Sequence, residues 1–312
     1  MPELPEVETV ARGLQGSVAG RRILSVTLRK TDFMDDPALI ERELPGRRIA
    51  RIERYGKFML LQLSAADGDA APEATGGSTM LVEQALLVHL GMTGNLAPNF
   101  AAEPLEKHTH VSFLLDDGRE LRYTDARRFG RMAYLSGATL ASELQRFGAD
   151  PLEVSREEFT QRIRGGKARV RARIKALLLD QSVLRGVGNI YADESLWRAR
   201  IHPATPGERL TPQQAEKLRK ALKEILMRAI AKHGSSISDF VDSNGRSGSY
   251  QNYHRVYGQE GRPCYRCRTA IRRIIVAGRS SHFCPSCQPA PKGFGRARKK
   301  TKRGKRGRTS KR

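Results

Sequence analysis

The chain has 312 residues, 39% of them hydrophobic, and a formal net charge of +23. That length supports two packed domains with attachments, and that apolar content belongs to a globular protein rather than a disordered one. No window approaches the roughly 18 apolar residues of a membrane span, and the acidic opening Met1-Pro2-Glu3-Leu4-Pro5-Glu6 lacks the basic and apolar regions of a signal peptide, so a cytosolic protein is expected.

In chain order, Val7, Val10, Ala11 and Leu14 fall at helical spacing, with Glu3 and Glu6 near the positive end of the helix dipole. Strand signals follow. Leu24, Val26 and Leu28 alternate as in a half-buried strand, and Lys57 to Leu63 and Ala85 to Leu90 are short apolar runs. Val111 to Leu115, Asp116-Asp117-Gly118 and Glu120 to Tyr123 form a predicted hairpin closed by an Asp-Gly turn. Residues 2–135 are therefore read as a helix followed by a β-sandwich or flattened barrel, with a mobile hairpin extension over Ser64 to Met80.

The pattern becomes helical near residue 150 and defines a second domain over 150–250. Its clearest helix opens Thr211-Pro212-Gln213-Gln214, a capping box with proline in the first turn, and its apolar face is Leu218, Leu222, Ile225 and Ala229. Residues 255–288 form a cysteine module, and 289–312 a basic tail with 12 Lys/Arg and no acid. Removing those 12 still leaves +11, and Arg162, Arg164, Lys167, Arg169, Arg171, Arg173 and Lys175 crowd one stretch of the body. A charge that does not sit only in the tail favours a polyanionic partner, here nucleic acid.

All four cysteines lie in Cys264-x2-Cys267-x16-Cys284-x2-Cys287. Two C-x-x-C knuckles complete a tetrahedral zinc site; the competing pairing into two disulfides does not suit a reducing compartment. Four thiolates leave no position for a catalytic water, so the one Zn²⁺ is structural. Between the knuckles, Ile271, Ile274, Ile275, Val276 and Gly278-Arg279-Ser280 read as a β-hairpin with an exposed arginine at its tip.

Chemistry must then come from elsewhere. Removal of Met1 would leave Pro2 as a secondary amine, and α-amino groups titrate near 7.7–8. Such an amine can attack a sugar's anomeric carbon and form an iminium, with Glu3 and Glu6 beside it to move protons. Taken alone, the same residues serve as an ordinary Met-Pro start with acidic capping.

They do not stand alone. Pro2-Glu3-Leu4-Pro5-Glu6-Val7-Glu8 resembles the N-terminus of the formamidopyrimidine-DNA glycosylases, bacterial enzymes that excise oxidised purines. The resemblance continues in order through Tyr55-Gly56-Lys57, His89-Leu90-Gly91-Met92-Thr93-Gly94, Glu106-Lys107-His108, Tyr123-Thr124-Asp125-Ala126-Arg127-Arg128-Phe129-Gly130, Gly186-Val187-Gly188-Asn189-Ile190-Tyr191 and Cys284-Pro285-Ser286-Cys287-Gln288.

The resemblance implies an α+β protein with an N-terminal helix and β-sandwich, a helix-two-turn-helix over Ile174 to Pro203, and a zinc hairpin. Acting as a monomer on damaged double-stranded DNA in the bacterial cytoplasm and nucleoid, it would excise the base and cleave the abasic strand by β,δ-elimination. Pro2 becomes the nucleophile, Glu3 the general acid, Glu6 a supporting acid, and Lys57 a contact to the lesion phosphate. Met92, Arg127 and Phe129 become the wedge that replaces the flipped base. On the residues alone, Met92 and Phe129 fit core packing equally well, and Lys57 fits a snorkelling surface lysine. His108, Arg128 and Asn189 match phosphate ligands, Asn189 also being placed to cap the following helix. Arg279 matches the zinc-hairpin arginine, and Lys175 is counted among the DNA contacts. The loop from Ser235 to Tyr253 lies where the family covers the flipped base.

Three departures stand out: Arg268 where the family has glycine, the long Ser64 to Met80 segment, and the tail. Two alternatives remain. An endonuclease VIII-like enzyme for oxidised pyrimidines would begin Pro-Glu-Gly-Pro-Glu, and Leu4 disfavours it. A non-catalytic DNA-binding protein of the same fold would have no need of Pro2, Glu3 and Lys57. The tail, too glycine-rich and basic to fold alone, reads as a flexible DNA tether, a solvated extension or a contact to another anionic partner such as RNA.

Overall fold

Helix α1 (Leu4–Val18) follows the predicted spacing, but its buried residues serve two cores. Val7, Val10, Ala11, Leu14 and Val18 pack into the β-domain, whereas Leu4 at its first turn packs into the helical domain. The helix thus fixes where the two domains meet. The computed structural model describes residues 1–64, 83–164, 172–236, 240–243, 245–292 and 294. The expected Ser64 to Met80 extension beyond Ser64, the cations Lys167, Arg169 and Arg171, and nearly all of the basic tail lie outside the described residues.

Two four-stranded antiparallel sheets form the β-domain, which decides for the sandwich over the barrel. One has the order β1 (Ile23–Leu28), β6 (Thr109–Leu115), β7 (Arg119–Asp125), β5 (Gly94–Phe100); the other runs β2 (Arg48–Tyr55), β3 (Phe58–Ser64), β4 (Gln84–His89), β8 (Arg131–Ser136). Gly118, at φ 79, closes the β6–β7 hairpin as the Asp-Gly signal predicts. In β1 the alternation is broken. A register shift between Ile23 and Ser25 turns Ile23 inward and leaves Leu24 half-exposed, since one extra residue reverses the face of its neighbours. Two short helices, α2 (Pro37–Glu43) and α3 (Gly137–Gln145), flank the sandwich and were not foreseen, being too short to show a period.

The helical domain contains α4 (Arg156–Arg164), α5 (Ile174–Leu179), α6 (Asn189–Ala199) and α7 (Pro212–Ile230). Reciprocal bonds between Thr211 and Gln214, at 2.9 and 3.1 Å, form the capping box of α7. Its predicted face, Leu218, Leu222, Ile225 and Ala229, is buried against α6 and α4; each such leucine contributes about 1.5–3 kcal/mol of burial. The chain ends its described part in the hairpin β9 (Arg272–Val276) and β10 (Arg279–Phe283). Ala277 and Gly278 both have positive φ, the two-residue turn whose twist suits paired strands. Arg279 is therefore exposed beside the tip.

Candidate active site and nucleic-acid interface

The first turn of α1 is held from the helical domain. The Leu4 amide donates to the Gly186 carbonyl (3.0 Å), and the buried Glu3 carboxylate accepts from the amides of Ile190 (3.0 Å) and Tyr191 (3.4 Å). Glu3, from the other domain, thereby caps α6, where unpaired amides and the helix dipole favour an anion. Asn189, expected to cap, is instead the first residue of α6 and makes no side-chain cap. Gly188 explains the difference: a Cβ there would sit 2.2 Å from the Glu3 carboxyl carbon, so the absence of a side chain admits Glu3.

Glu6 is equally enclosed. It accepts from the Glu3 amide (2.9 Å), the Tyr191 hydroxyl (2.5 Å) and the Ser235 amide (2.7 Å). Burial pushes its carboxyl up to about 7, with the neighbouring Glu3 charge adding to the effect and these hydrogen bonds opposing it. Burial likewise pushes Glu3 above the usual carboxylate range, while the Lys57 ammonium and the α6 amides pull it back. Lys57 stands at the Gly56 turn before β3 and is only 9% exposed. Burial lowers its ammonium; the Glu3 charge resists that and the Arg279 cation reinforces it. At about 7 the Glu6 carboxyl is partly protonated near neutrality and can hold or deliver a proton, as general acid–base work requires. Pro2, Glu6, Met92, Ile190, Ser235 and Phe240 line the small cavity at this point.

Met92 and Phe129 are 41% and 57% exposed, so neither is a core residue. One buried carboxylate orders both of their loops. Asp125 accepts from the Thr93 hydroxyl (2.5 Å), the Tyr123 hydroxyl (3.2 Å) and the amides of Arg127 (3.2 Å) and Gly130 (3.0 Å). The Arg127 guanidinium lies 4.7 Å above the Phe129 ring. His108 and Arg128 are exposed in left-handed backbone conformations, and Arg128 pairs with Asp32 at 2.9 Å. Asp125 and Tyr191 have no role assigned from sequence, and Ser235 and Phe240 enter there only as part of the loop over the flipped base. Asp125 and Tyr191 lay inside the quoted motifs, but nothing local says that they reach Thr93 or Glu6.

Lys175 is not a DNA contact. It is fully buried, its ammonium donating to Asp193 (2.6 Å) and to the Ser280 carbonyl (2.5 Å), and the other Asp193 oxygen accepts from the His282 amide (2.8 Å). Its place among basic residues hid this, because charge density along a chain does not report which cations are covered. The pair clamps β10, and so Arg279, onto α6. Lys175→Met, which leaves Asp193 buried without its cation, is expected to destabilise the fold by about 3–5 kcal/mol in urea unfolding; a change under 1 kcal/mol would contradict a clamp.

The Sγ atoms of Cys264, Cys267, Cys284 and Cys287 lie within 4.8 Å of one another, with neighbours at 3.4, 3.6 and 4.0 Å. Tetrahedral zinc with Zn–S of about 2.3 Å separates sulfurs by about 3.8 Å, so the four thiolates fit one structural Zn²⁺. Arg268 takes φ 64, the left-handed conformation that a glycine would adopt freely, and the knuckle keeps its turn.

A sandwich and a helical domain joined at a buried acidic N-terminus, with an exposed apolar and arginine loop and a zinc hairpin beside it, define a DNA base-excision repair glycosylase. Residues 1–132, 147–241 and 261–290 match, in turn, the formamidopyrimidine-DNA glycosylase N-terminal domain, its H2TH domain and the zinc finger found in FPG and IleRS. The chain is 44% identical over 290 residues to the formamidopyrimidine-DNA glycosylase of Solibacter usitatus (92% of this chain, 99% of that one) and 43% identical over 297 residues to that of Desulforamulus reducens (93% and 100%). Its structure is similar to that of the Lactococcus lactis Fpg in a complex with DNA containing an abasic site, with a TM-score of 0.79 at 33% identity over 92% of this chain and 100% of that one. The chain belongs to the formamidopyrimidine-DNA glycosylase family. Among the described residues, no helix is long and apolar enough to cross a membrane.

Proposed function

We propose that this enzyme excises oxidised purines, 8-oxoguanine and formamidopyrimidines, through a Schiff base on Pro2 and then cleaves the abasic strand. The observation that carries this is the setting of Glu3: a buried carboxyl next to Pro2, capping α6 of the other domain and coupled to Lys57. Once Met1 is removed, the Pro2 nitrogen bonds to C1′ as the glycosidic bond breaks; the base leaves with its electron pair and takes up the proton that the nitrogen gives up. Glu3 then gives its proton to the ring oxygen as the C1′–O4′ bond opens, leaving an iminium. The iminium acidifies the C2′ hydrogens, so the ionised Glu3 takes a C2′ proton as the 3′ phosphate leaves by β-elimination, and the C4′ proton passes to water as the 5′ phosphate leaves by δ-elimination. Glu6, hydrogen-bonded to the Glu3 amide, holds the turn and supports the proton transfer. Lys57, Arg279, His108, Arg128 and Asn189 take DNA phosphates, and Met92, Arg127 and Phe129 fill the space of the everted nucleotide. This activity fits a cytoplasmic protein working on the nucleoid.

Product analysis on duplexes carrying 8-oxoguanine, thymine glycol or an abasic site tests the reading. A one-nucleotide gap with phosphate at both ends is expected, and fastest on 8-oxoguanine. The thymine glycol arm matters because the Lactococcus lactis Fpg also forms a complex with DNA containing an oxidised pyrimidine. Preference for thymine glycol would favour the pyrimidine enzyme, and binding without cleavage the non-catalytic one.

Phe129→Ala and Arg127→Ala should each slow 8-oxoguanine excision about tenfold more than cleavage of a preformed abasic site, which has no base to evert; the few kcal/mol of unstacking set that scale. Equal losses on both substrates would leave the wedge without support. For the tail, we propose the DNA tether. If a third to a half of its 12 cations displace counterions, deletion after Gln288 should flatten the salt dependence of non-specific binding by about 3–5 in slope. Excision at saturating enzyme should not change, and an unaltered slope would mean a solvated extension.

A further inference from the structure

At the far end of α6 from Glu3 there is a second site. Eleven residues of helix separate the two by about 16 Å. Here a cleft of about 270 Å³ opens between the C-terminal part of α6, the second half of α7 and the first zinc knuckle. Tyr250 lines it while only 3% exposed, and no described residue hydrogen-bonds its hydroxyl. The ring is buried, and the hydroxyl at the wall of the cleft is left open to a ligand's acceptor.

Three of the four charged groups that act on this hydroxyl are cationic. Burial raises the phenol, with Glu194 adding to the rise, and Arg228, Arg198 and Arg255 oppose it. Arg198 is held by two hydrogen bonds to Glu224. Arg228 and Arg255 have no carboxylate partner among the described residues. Each instead lies over an aromatic ring, Arg228 at 4.9 Å from Tyr253 and Arg255 at 4.2 Å from Tyr265. Stacking occupies the face of a guanidinium and leaves its N–H edge free, so both forks are positioned but unfilled.

Besides Glu224, whose carboxylate is paired with Arg198, two features oppose an anion and both are neutralised. The carbonyls ending α6 carry partial negative charge, but Arg266 donates to those of Trp197 (2.8 Å) and Arg198 (3.2 Å). The Glu194 carboxylate accepts from the amides of Arg255, Val256 and Tyr257 at 2.8–3.0 Å, which spreads its charge into the backbone.

We propose that this cleft binds a nucleoside 5′-monophosphate group, its phosphate taken by Arg228, Arg255 and the Tyr250 hydroxyl and its base laid against Tyr265. Tyr265 is 68% exposed and offers a planar apolar surface at the mouth. The group can belong to a free mononucleotide or to the 5′-phosphorylated end of a strand. Either source carries a phosphate and a base in one group. Neither arginine belongs to the excision machinery; Tyr250 lies near the end of the loop expected over the flipped base.

Trp197, the single tryptophan of the chain, lines the cleft and reports on it directly. The full-length zinc protein, its DNA cleft already filled by a duplex with an uncleavable abasic analogue, is titrated with 2′-deoxyguanosine 5′-monophosphate, deoxyguanosine, inorganic phosphate and a 5′-phosphorylated oligonucleotide. Saturable one-to-one binding of the monophosphate is expected by tryptophan fluorescence and calorimetry, with deoxyguanosine at least tenfold weaker. Arg228→Gln and Arg255→Gln should each weaken it about tenfold with 8-oxoguanine excision unchanged, and Tyr250→Phe should weaken it severalfold. Tighter binding of the oligonucleotide assigns the site to strand ends, and preference for the mononucleotide to free nucleotide. The proposal is overturned if the duplex-filled protein binds no monophosphate, if inorganic phosphate binds as well as the monophosphate, or if the three substitutions leave binding unchanged.

Discussion

Borohydride added to the processed enzyme and an 8-oxoguanine duplex should yield a protein–DNA adduct whose sugar carbon is joined to the Pro2 nitrogen. Retention of Met1, or Pro2→Gly, should lower trapping on the order of 10³-fold or more, equivalent to over 4 kcal/mol of barrier. The size follows from what is lost. A retained Met1 converts the secondary amine into an amide nitrogen with no basic lone pair. Glycine keeps a primary amine but removes the ring that fixes its direction inside a turn held by Glu3, Glu6 and Gly186. Efficient trapping by either protein would move the nucleophile elsewhere, with Lys57 the nearest buried amine to test. Binding to an abasic duplex should be largely kept, since the phosphate contacts do not involve Pro2.

Cys284→Ser should cost the protein its zinc and its DNA affinity together. Metal analysis of the unaltered chain should find one zinc per molecule; the variant should retain none, and bind damaged duplex on the order of 10²-fold or more weakly. The reason is the smallness of the module. Packed on Trp197 of α6, it buries Val256, Cys264, Ile271 and Cys284, too little apolar surface to order the hairpin without metal. Once the hairpin loosens, β10 leaves the Lys175–Asp193 clamp, and Arg279 no longer stands beside Lys57. A metal-free protein with full excision activity would show that the zinc is dispensable. Lys175→Met separates the two supports, because it removes the clamp while leaving four thiolates intact.

The family assignment was legible in sequence because its signals are local. A C-x-x-C pair forms its knuckle whatever surrounds it, a capping box such as Thr211 to Gln214 names a helix start, and Asp-Gly closes the β6–β7 hairpin. Spacing of apolar residues likewise placed α1 and the buried face of α7, since burial follows the helical period when one face meets a core.

Side-chain partners across the domain boundary were not legible. Sequence marked Lys175 as one more cation in a basic run, and only packing shows it buried against Asp193 and Ser280. It gave the cap of α6 to Asn189, whereas the tertiary structure gives it to Glu3, some 187 residues away. Met92 and Phe129 suited a core or a wedge equally until their exposure was known. By itself the sequence determined which chemical groups are present and which local turns and helices hold them, because those depend on near neighbours. The tertiary structure alone decided which of those groups are buried, paired and shifted in charge, because burial and partnership depend on residues that the chain brings together only when it folds.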